Sequence, residues 1–176
     1  MLFRSLCLGA GGAAIAISVH LANRQDDIPR RFIAVDIHQG RLDALKAIHA
    51  KLQTPMSFDY YLHTAAADHD ALLAGLRPGS LVINATGLGK DRPGSPLTDA
   101  ATFPQGGLVW ELNYRGERAF MQQAQRQAAQ RNLTIEDGWV YFLHGWTQVM
   151  AEVFDLTLTP ELFKRLDAAA SQLRPT

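Results

Sequence analysis

A glycine-rich segment near the start of the sequence has the residue spacing with the clearest chemical meaning. Gly9, Gly11 and Ala14 follow the pattern G-x-G-x-x-A, directly after an apolar run at residues 6–8. Gly9 allows a sharp turn, Gly11 lets the main chain approach a pyrophosphate, and Ala14 lets a helix lie close to a strand. The helix dipole and its first amide groups favour a phosphate anion. We therefore predict that a dinucleotide lies against five residues: Gly9, Ala10, Gly11, Gly12 and Ala13. The alternative is a tight strand–helix turn without a ligand.

An aspartate further along the chain bears on which dinucleotide is bound. Asp36 ends a predicted strand at residues 32–35, about 20 positions beyond the glycines, where a carboxylate accepts hydrogen bonds from the adenosine ribose. Because a carboxylate there repels a 2′-phosphate, Asp36 favours NAD over NADP. Arg41 is close enough to reach a 2′-phosphate, so it keeps NADP open. A solvated aspartate at a strand end is the alternative.

Strands and helices alternate along the rest of the chain. Four further strands are predicted, at residues 32–35, 56–62, 80–84 and 107–112. One helix is predicted to begin at Gly12. Helical spacing of apolar residues predicts five more, at residues 43–52, 67–76, 117–132, 139–154 and 160–173. This alternation predicts an α/β fold: a doubly wound, mainly parallel, Rossmann-like sheet followed by C-terminal helices.

Composition and charge exclude several classes of protein. Lysine plus arginine and aspartate plus glutamate number 17 each, so no basic field indicates a nucleic acid partner. Cys7 is the single cysteine, which excludes a disulfide framework, and no apolar run is long enough to span a bilayer. The six histidines lack partners at the spacing of zinc ligands, so we predict no metal site. We expect a cytoplasmic protein.

Four segments, in order, resemble the cofactor-binding domain of the shikimate/quinate dehydrogenase family. Residues 9–13 read G-A-G-G-A, residues 82–89 read V-I-N-A-T-G-L-G, residues 110–114 read W-E-L-N-Y, and residues 137–138 read D-G. The resemblance covers essentially the whole chain from Leu6. It implies hydride transfer between NAD(P) and a ring alcohol or ketone such as shikimate or quinate, in the biosynthesis of aromatic amino acids.

The same resemblance implies roles for individual residues. Five of them would contact the cofactor: Asn84, Ala85, Thr86, Leu112 and Gly138. Tyr114 matches the tyrosine that contacts the substrate carboxylate. The family glutamine of the last segment falls on Gly145, so His144 or Gln148 would replace it in binding substrate. The family arginine that grips the 2′-phosphate is also replaced, since Asp36-Ile37-His38 stands at its place.

The family's catalytic lysine and aspartate lie in an N-terminal substrate domain that we do not find here, so we assign no catalytic residue to this chain. We expect residues 1–5 to be a non-native or truncated start and residues 6–136 to form the dinucleotide-binding domain. Residues 137–176 would pack toward the missing domain. The isolated chain would then expose part of residues 139–154, self-associate, for example as a homodimer, and be inactive or nearly so. The alternative is a free-standing, non-catalytic dinucleotide-binding module.

Overall fold

Six parallel strands form one sheet at the centre of the computed structural model, which describes residues 4–90 and 92–174. The strands are β1 (Arg4–Leu8), β2 (Arg31–Asp36), β3 (Ser57–Leu62), β4 (Leu81–Asn84), β5 (Leu108–Glu111) and β6 (Thr134–Glu136). Their order in the sheet is β3-β2-β1-β4-β5-β6. The order reverses between β1 and β4, which opens a crevice at the carboxyl ends of those strands. The predicted doubly wound α/β fold is confirmed.

Helices connect the strands and cover both faces of the sheet. They are α1 (Gly12–Ala22), α2 (Gln39–His49), α3 (Ala66–Ala74), α4 (Ala119–Arg131), α5 (Trp139–Val153) and α6 (Pro160–Ser171). Side chains alternate along β1, so Cys7 packs with α1 and α2, while Leu6 and Leu8 pack with α3 and α4. Both faces of the central strands are therefore buried, as parallel sheets require.

The structure differs from the sequence prediction in one additional strand and in the bounds of several elements, among them α2, which spans Gln39–His49 rather than residues 43–52. β6 was not predicted, because it has three residues and only Ile135 among them is apolar. It pairs with β5 and extends the sheet by one strand. Arg4 and Ser5, which belong to the expected non-native start, form part of β1 and pair with Arg31 and Phe32. Residues 1–3 of the expected non-native start lie outside the described residues.

Helix α5 buries one side and exposes the other. Its buried residues recur every four positions, at Trp139, Leu143, Thr147 and Ala151. Trp146, by contrast, is 57% exposed, so part of this aromatic segment is exposed in the isolated chain, as expected. No helix within residues 4–90 and 92–174 is long and apolar enough to cross a membrane.

A buried histidine ties two helices to the sheet. The Ser18 hydroxyl donates to the carbonyl of Ile15 at 3.0 Å, so it accepts a hydrogen bond from Nε2 of His49 at 2.7 Å. Nδ1 of His49 is then the acceptor for the Tyr60 hydroxyl at 2.8 Å. The ring also stacks on Phe58, with centroids 3.9 Å apart. Burial lowers the pKa of His49 to about 4.

This lowered pKa predicts a specific loss of stability in acid. The unfolded chain protonates His49 near the ordinary pKa of 6.5 and the folded chain only near 4, so unfolding takes up a proton between these values. The stability contributed by neutral His49 is complete above pH 6.5 and is lost as the pH falls to 4. We expect His49→Gln, which keeps a donor and an acceptor, to remove this pH dependence.

The measurement is urea unfolding of both proteins between pH 4 and pH 7. The stability advantage of the wild type over His49→Gln should shrink as the pH falls, by about 3 kcal/mol at most. Other titrating groups are common to both proteins and cancel in the difference. A difference that stays constant across this range would contradict the assignment.

Candidate functional site

The turn between β1 and α1 lies against the end of β4. Gly9 has a φ of +106°, and a Cβ atom there would lie 2.6 Å from the carbonyl oxygen of Ala85. The Gly9 amide donates to the carbonyl of Val35 at 2.6 Å, and the Ala85 amide donates to that of Leu8 at 2.7 Å. Gly9 therefore has both a conformational and a steric reason to be glycine.

The start of α1 is open, in contrast to the turn before it. Gly11 is the residue that precedes the helix, and a Cβ on Gly11 or Gly12 would meet no described atom within 4 Å. Ala14, one turn further on, is completely buried against the sheet. The first turn of α1, all of it described, contains no acidic residue. This helix end thus has unhindered N–H groups and a positive dipole end available to an anion.

Asp36 holds the turn in place. Its Oδ2 accepts a hydrogen bond from the Ala10 amide at 2.8 Å, and its Oδ1 accepts one from the His38 amide at 2.9 Å. The Arg41 guanidinium lies 3.7 Å from Oδ2. The carboxylate is only 4% exposed, whereas the Arg41 side chain is 59% exposed. The Asp36 carboxylate is therefore directed toward main-chain amides, and the Arg41 guanidinium is the charged group of this pair that is exposed to solvent.

A cavity of about 480 Å³ brings four of the predicted cofactor residues together. Gly9, Asp36, Arg41 and Thr86 all line it. It lies at the carboxyl ends of β1, β2 and β4, which is where open parallel sheets bind their ligands. Four of the residues predicted from separate parts of the sequence thus face one space.

A buried polar network joins the ends of β4 and β5. The Asn84 side-chain amide donates to both carboxylate oxygens of Glu111, at 2.9 and 3.1 Å. The main-chain amide of Asn113 donates to the same carboxylate at 2.9 Å. Asn84 Oδ1 accepts from the amide and the hydroxyl of Thr86. Burial raises the pKa of Glu111 to about 7, against the opposing effect of these donors and of Arg118. The network fixes the loop that carries Ala85 and Thr86.

Leu112 and Gly138, predicted to lie together at the nicotinamide end, are in direct contact. A Cβ atom on Gly138 would overlap the carbonyl group of Leu112. Beside them, Tyr114 stacks on Phe142 with centroids 4.1 Å apart, and the Lys90 ammonium lies 5.6 Å from the Tyr114 ring centroid. A second cavity of about 420 Å³ is lined by Lys90, Leu112, Tyr114 and Phe142, so Tyr114 faces a space next to the predicted nicotinamide end.

His144 does not join this second cavity. It stacks on Phe163 of α6, with centroids 4.0 Å apart and planes within 8°. It lines a different cavity with Trp110 and Asp137. Gln148, the other candidate, donates to Glu152 on the outside of α5. The structure therefore separates both predicted glutamine replacements from Tyr114, because α5 turns that face toward α6 and solvent.

Two site residues were missed in the sequence. Glu111 occurs in the W-E-L-N-Y segment, but its partner Asn84 is 27 positions away, so only the sheet pairing reveals it. His69 lines the main cavity, yet its sequence context is an ordinary helix. The one available signal for Glu111 was an acidic residue at the end of an apolar strand.

Comparison with known proteins gives a consistent set of relatives. The chain is 32% identical over 127 residues to the NADP(+) shikimate dehydrogenase of Streptococcus gordonii, covering 70% of this chain and 42% of that protein. It is 28% identical over 142 residues to that of Symbiobacterium thermophilum, covering 80% and 45%. The chain thus spans less than half the length of these relatives. No protein-family model matches the sequence.

A solved structure shows the same fold. The shikimate 5-dehydrogenase of Listeria monocytogenes, determined with shikimate and NAD, superposes with a TM-score of 0.65 at 18% identity. The match covers 93% of this chain and 55% of that one. The shared six-stranded fold therefore extends over nearly all of this chain.

Proposed function

We propose, from the premise that this chain belongs to the shikimate dehydrogenase family, that it forms the cofactor-binding part of an oxidoreductase acting on a shikimate-type ring alcohol or ketone. The observation that carries the proposal is the open helix start at Gly11 and Gly12, beside a cavity that contains Asp36 and Thr86. We infer that a nicotinamide dinucleotide would lie along this arrangement.

Each part of the cofactor has a matching group in the chain. The pyrophosphate would lie on the amides of Gly11 and Gly12, and the adenosine ribose would lie beside Asp36. The nicotinamide would reach the junction of Leu112 and Gly138, with the loop of Asn84, Ala85 and Thr86 between them. The bound cofactor supplies the hydride carrier. The chain's own contribution is to hold that carrier at the edge of the second cavity, where Tyr114 would contact the substrate.

The preference for NAD that Asp36 suggested is not supported. Both curated relatives are named for NADP(+). In the structure, the Asp36 carboxylate accepts hydrogen bonds from the amides of Ala10 and His38 and lies 3.7 Å from the Arg41 guanidinium, and these groups partly offset its negative charge. Arg41 is exposed in the same cavity. We propose that the chain binds NADP more tightly than NAD, with Arg41 beside the 2′-phosphate.

This proposal predicts the effect of removing Arg41. Arg41→Ala should weaken NADPH binding roughly tenfold, since a charge-assisted hydrogen bond to the phosphate is lost. NADH binding should change little, because NADH has no 2′-phosphate. Lys46→Ala is the matched control: it removes a cation from the same helix outside the cavity, and both affinities should stay at wild-type values. An equal loss for both cofactors in Arg41→Ala, or a wild type that favours NADH, would contradict it.

We further propose that a substrate domain, like that of the family, packs on the exposed face of α5. Trp146 and Val149 there line the second cavity together with Tyr114. General acid chemistry needs a group within hydrogen-bond reach of the reacting oxygen, and the proposed domain would provide it. The homodimer suggested from sequence would use the same apolar face.

The experiment is a dehydrogenase assay with shikimate and NADP+, followed by absorbance at 340 nm. The chain alone should bind NADPH without turnover. Addition of the part of the Streptococcus gordonii relative that this chain does not match should produce turnover. Binding without turnover in both cases would instead favour the non-catalytic module, and absence of binding would refute the proposed function.

A further inference from the structure

A small cavity at the amino ends of the strands is rich in arginine. It has a volume of about 160 Å³ and a mostly polar surface, and it is lined by five residues: Arg4, Arg30, Arg31, Ser57 and Arg77. β2 runs from this cavity to the cofactor crevice. With six residues and a rise of about 3.3 Å per residue, its two ends lie roughly 16 Å apart. The arginine cavity and the crevice therefore lie at opposite edges of the sheet.

The strand register brings three of these residues side by side. Arg4 pairs with Arg31 across β1 and β2, and Arg31 pairs with Ser57 across β2 and β3. Leu6, two positions beyond Arg4, packs with α3, so the alternation along β1 places Arg4 on the face that α3 covers. Arg77 follows the end of α3 on that face. Separate segments of the chain thus bring their arginines to one place.

The positive charge of the arginine cavity is only partly neutralised. Nη1 of Arg31 lies 3.2 Å from Oδ2 of Asp59, and the Arg4 guanidinium donates to a main-chain carbonyl at the end of α3 at 3.4 Å. The side chains of Arg30 and Arg77 have no hydrogen-bond or ion-pair partner among residues 4–90 and 92–174, and both residues are exposed. Four guanidinium groups with one ion-paired carboxylate leave an excess of positive charge, which attracts an anion.

We propose that the arginine cavity binds a small, multiply charged phosphate compound. Guanidinium groups donate paired hydrogen bonds to phosphate oxygens. A phosphate presents oxygens in several directions and so suits donors from separate segments, whereas the two oxygens of a carboxylate lie in one plane. The cavity is smaller than the roughly 300 Å³ at which pockets enclose a drug-sized ligand, so it suits a compound of the size of pyrophosphate and not a whole nucleotide. This inference goes beyond the proposed function and does not require a bound cofactor.

The test is an amide NMR titration with inorganic pyrophosphate at constant ionic strength, in the presence of saturating NADPH. We expect saturable shifts at Arg31 and Ser57, while Gly11 in the crevice stays unchanged. Citrate, a tricarboxylate, should bind about fivefold more weakly, because it forms fewer paired contacts with the guanidinium groups. Absence of saturable shifts at Arg31 and Ser57 would overturn the inference, and equal binding of citrate would overturn the choice of phosphate. If NADPH fails to bind, the proposed function fails, but shifts at Arg31 and Ser57 still decide this inference.

Three variants test whether these side chains bind the anion. Arg77→Gln should weaken pyrophosphate binding about fivefold, since a charge-assisted hydrogen bond is lost. Arg165→Gln is the matched control: it removes an exposed arginine of α6 and should bind pyrophosphate like the wild type. Asp59→Asn removes the carboxylate that competes for Arg31 and should tighten binding about threefold. Unchanged affinity in either Arg77→Gln or Asp59→Asn, or equal losses in Arg77→Gln and Arg165→Gln, would overturn the inference.

Discussion

Replacing Gly11 with valine is expected to abolish dinucleotide binding while the protein remains folded. A Cβ on Gly11 meets no described atom within 4 Å, and its backbone angles, φ −81° and ψ −167°, suit a β-branched residue. The added side chain would instead occupy the space through which a pyrophosphate approaches the start of α1. The affinity for NADPH should fall roughly 100-fold or more, a loss of about 3 kcal/mol.

Two measurements on the same sample separate binding from folding. NADPH titration should lose saturation, and the thermal unfolding midpoint should stay within a few degrees of the wild type. Ala16→Val is the matched control, since it adds a β-branched residue at an exposed position of the same helix. It should bind NADPH normally. If Gly11→Val also binds normally, the turn has only a structural role.

Replacing Gly138 with alanine is expected to destabilise the protein strongly. The backbone of Gly138, at φ −82° and ψ 3°, is accessible to alanine, so the reason for glycine is steric. An added methyl group would overlap the carbonyl of Leu112 and must push the start of α5 away from the end of β5. We expect a loss of about 3 kcal/mol or more in the free energy of unfolding, at the upper end for overpacking.

Urea unfolding of Gly138→Ala and Gly145→Ala provides the comparison. Gly145 lies inside α5, and a Cβ there meets nothing within 4 Å among the described atoms. Alanine at that position should stabilise the protein by about 0.5–1 kcal/mol through helix propensity. A lower free energy of unfolding in Gly138→Ala together with a higher one in Gly145→Ala would support the close packing of Gly138 on Leu112. A Gly138→Ala variant as stable as the wild type would show that α5 does not pack on Leu112 in this way.

The parts of the site that could be predicted from sequence are those with local spacing. The glycine turn, the helix after it and the acidic end of β2 all follow from residues within a few positions of one another. The fold class follows from the alternation of strands and helices. Leu112 and Gly138 were placed together only through the family resemblance, and the structure brings them into contact.

Other features depend on contacts between distant residues and could not be predicted. Asp36 is paired with the amide of Ala10, 26 positions earlier, and this pairing is what weakens the argument for NAD. Glu111 meets Asn84 only because β4 and β5 are neighbours in the sheet. His144 lies on α5, which contributes residues both to the cavity with Tyr114 and to the cavity with Trp110. Its ring stacks on Phe163 and lines the cavity with Trp110, away from Tyr114.

The central claim is that the crevice at the carboxyl ends of the strands binds a nicotinamide dinucleotide. An amide NMR titration of the chain with NADPH tests it most directly, because it reports position and affinity together. We predict saturable shifts that are largest for Gly11 and Gly12 and extend to Thr86 and Gly138, while the exposed end of α5 near Val153 stays unchanged. Shifts that do not saturate, or that cluster near Val153 and leave Gly11 and Gly12 unaffected, would contradict the account.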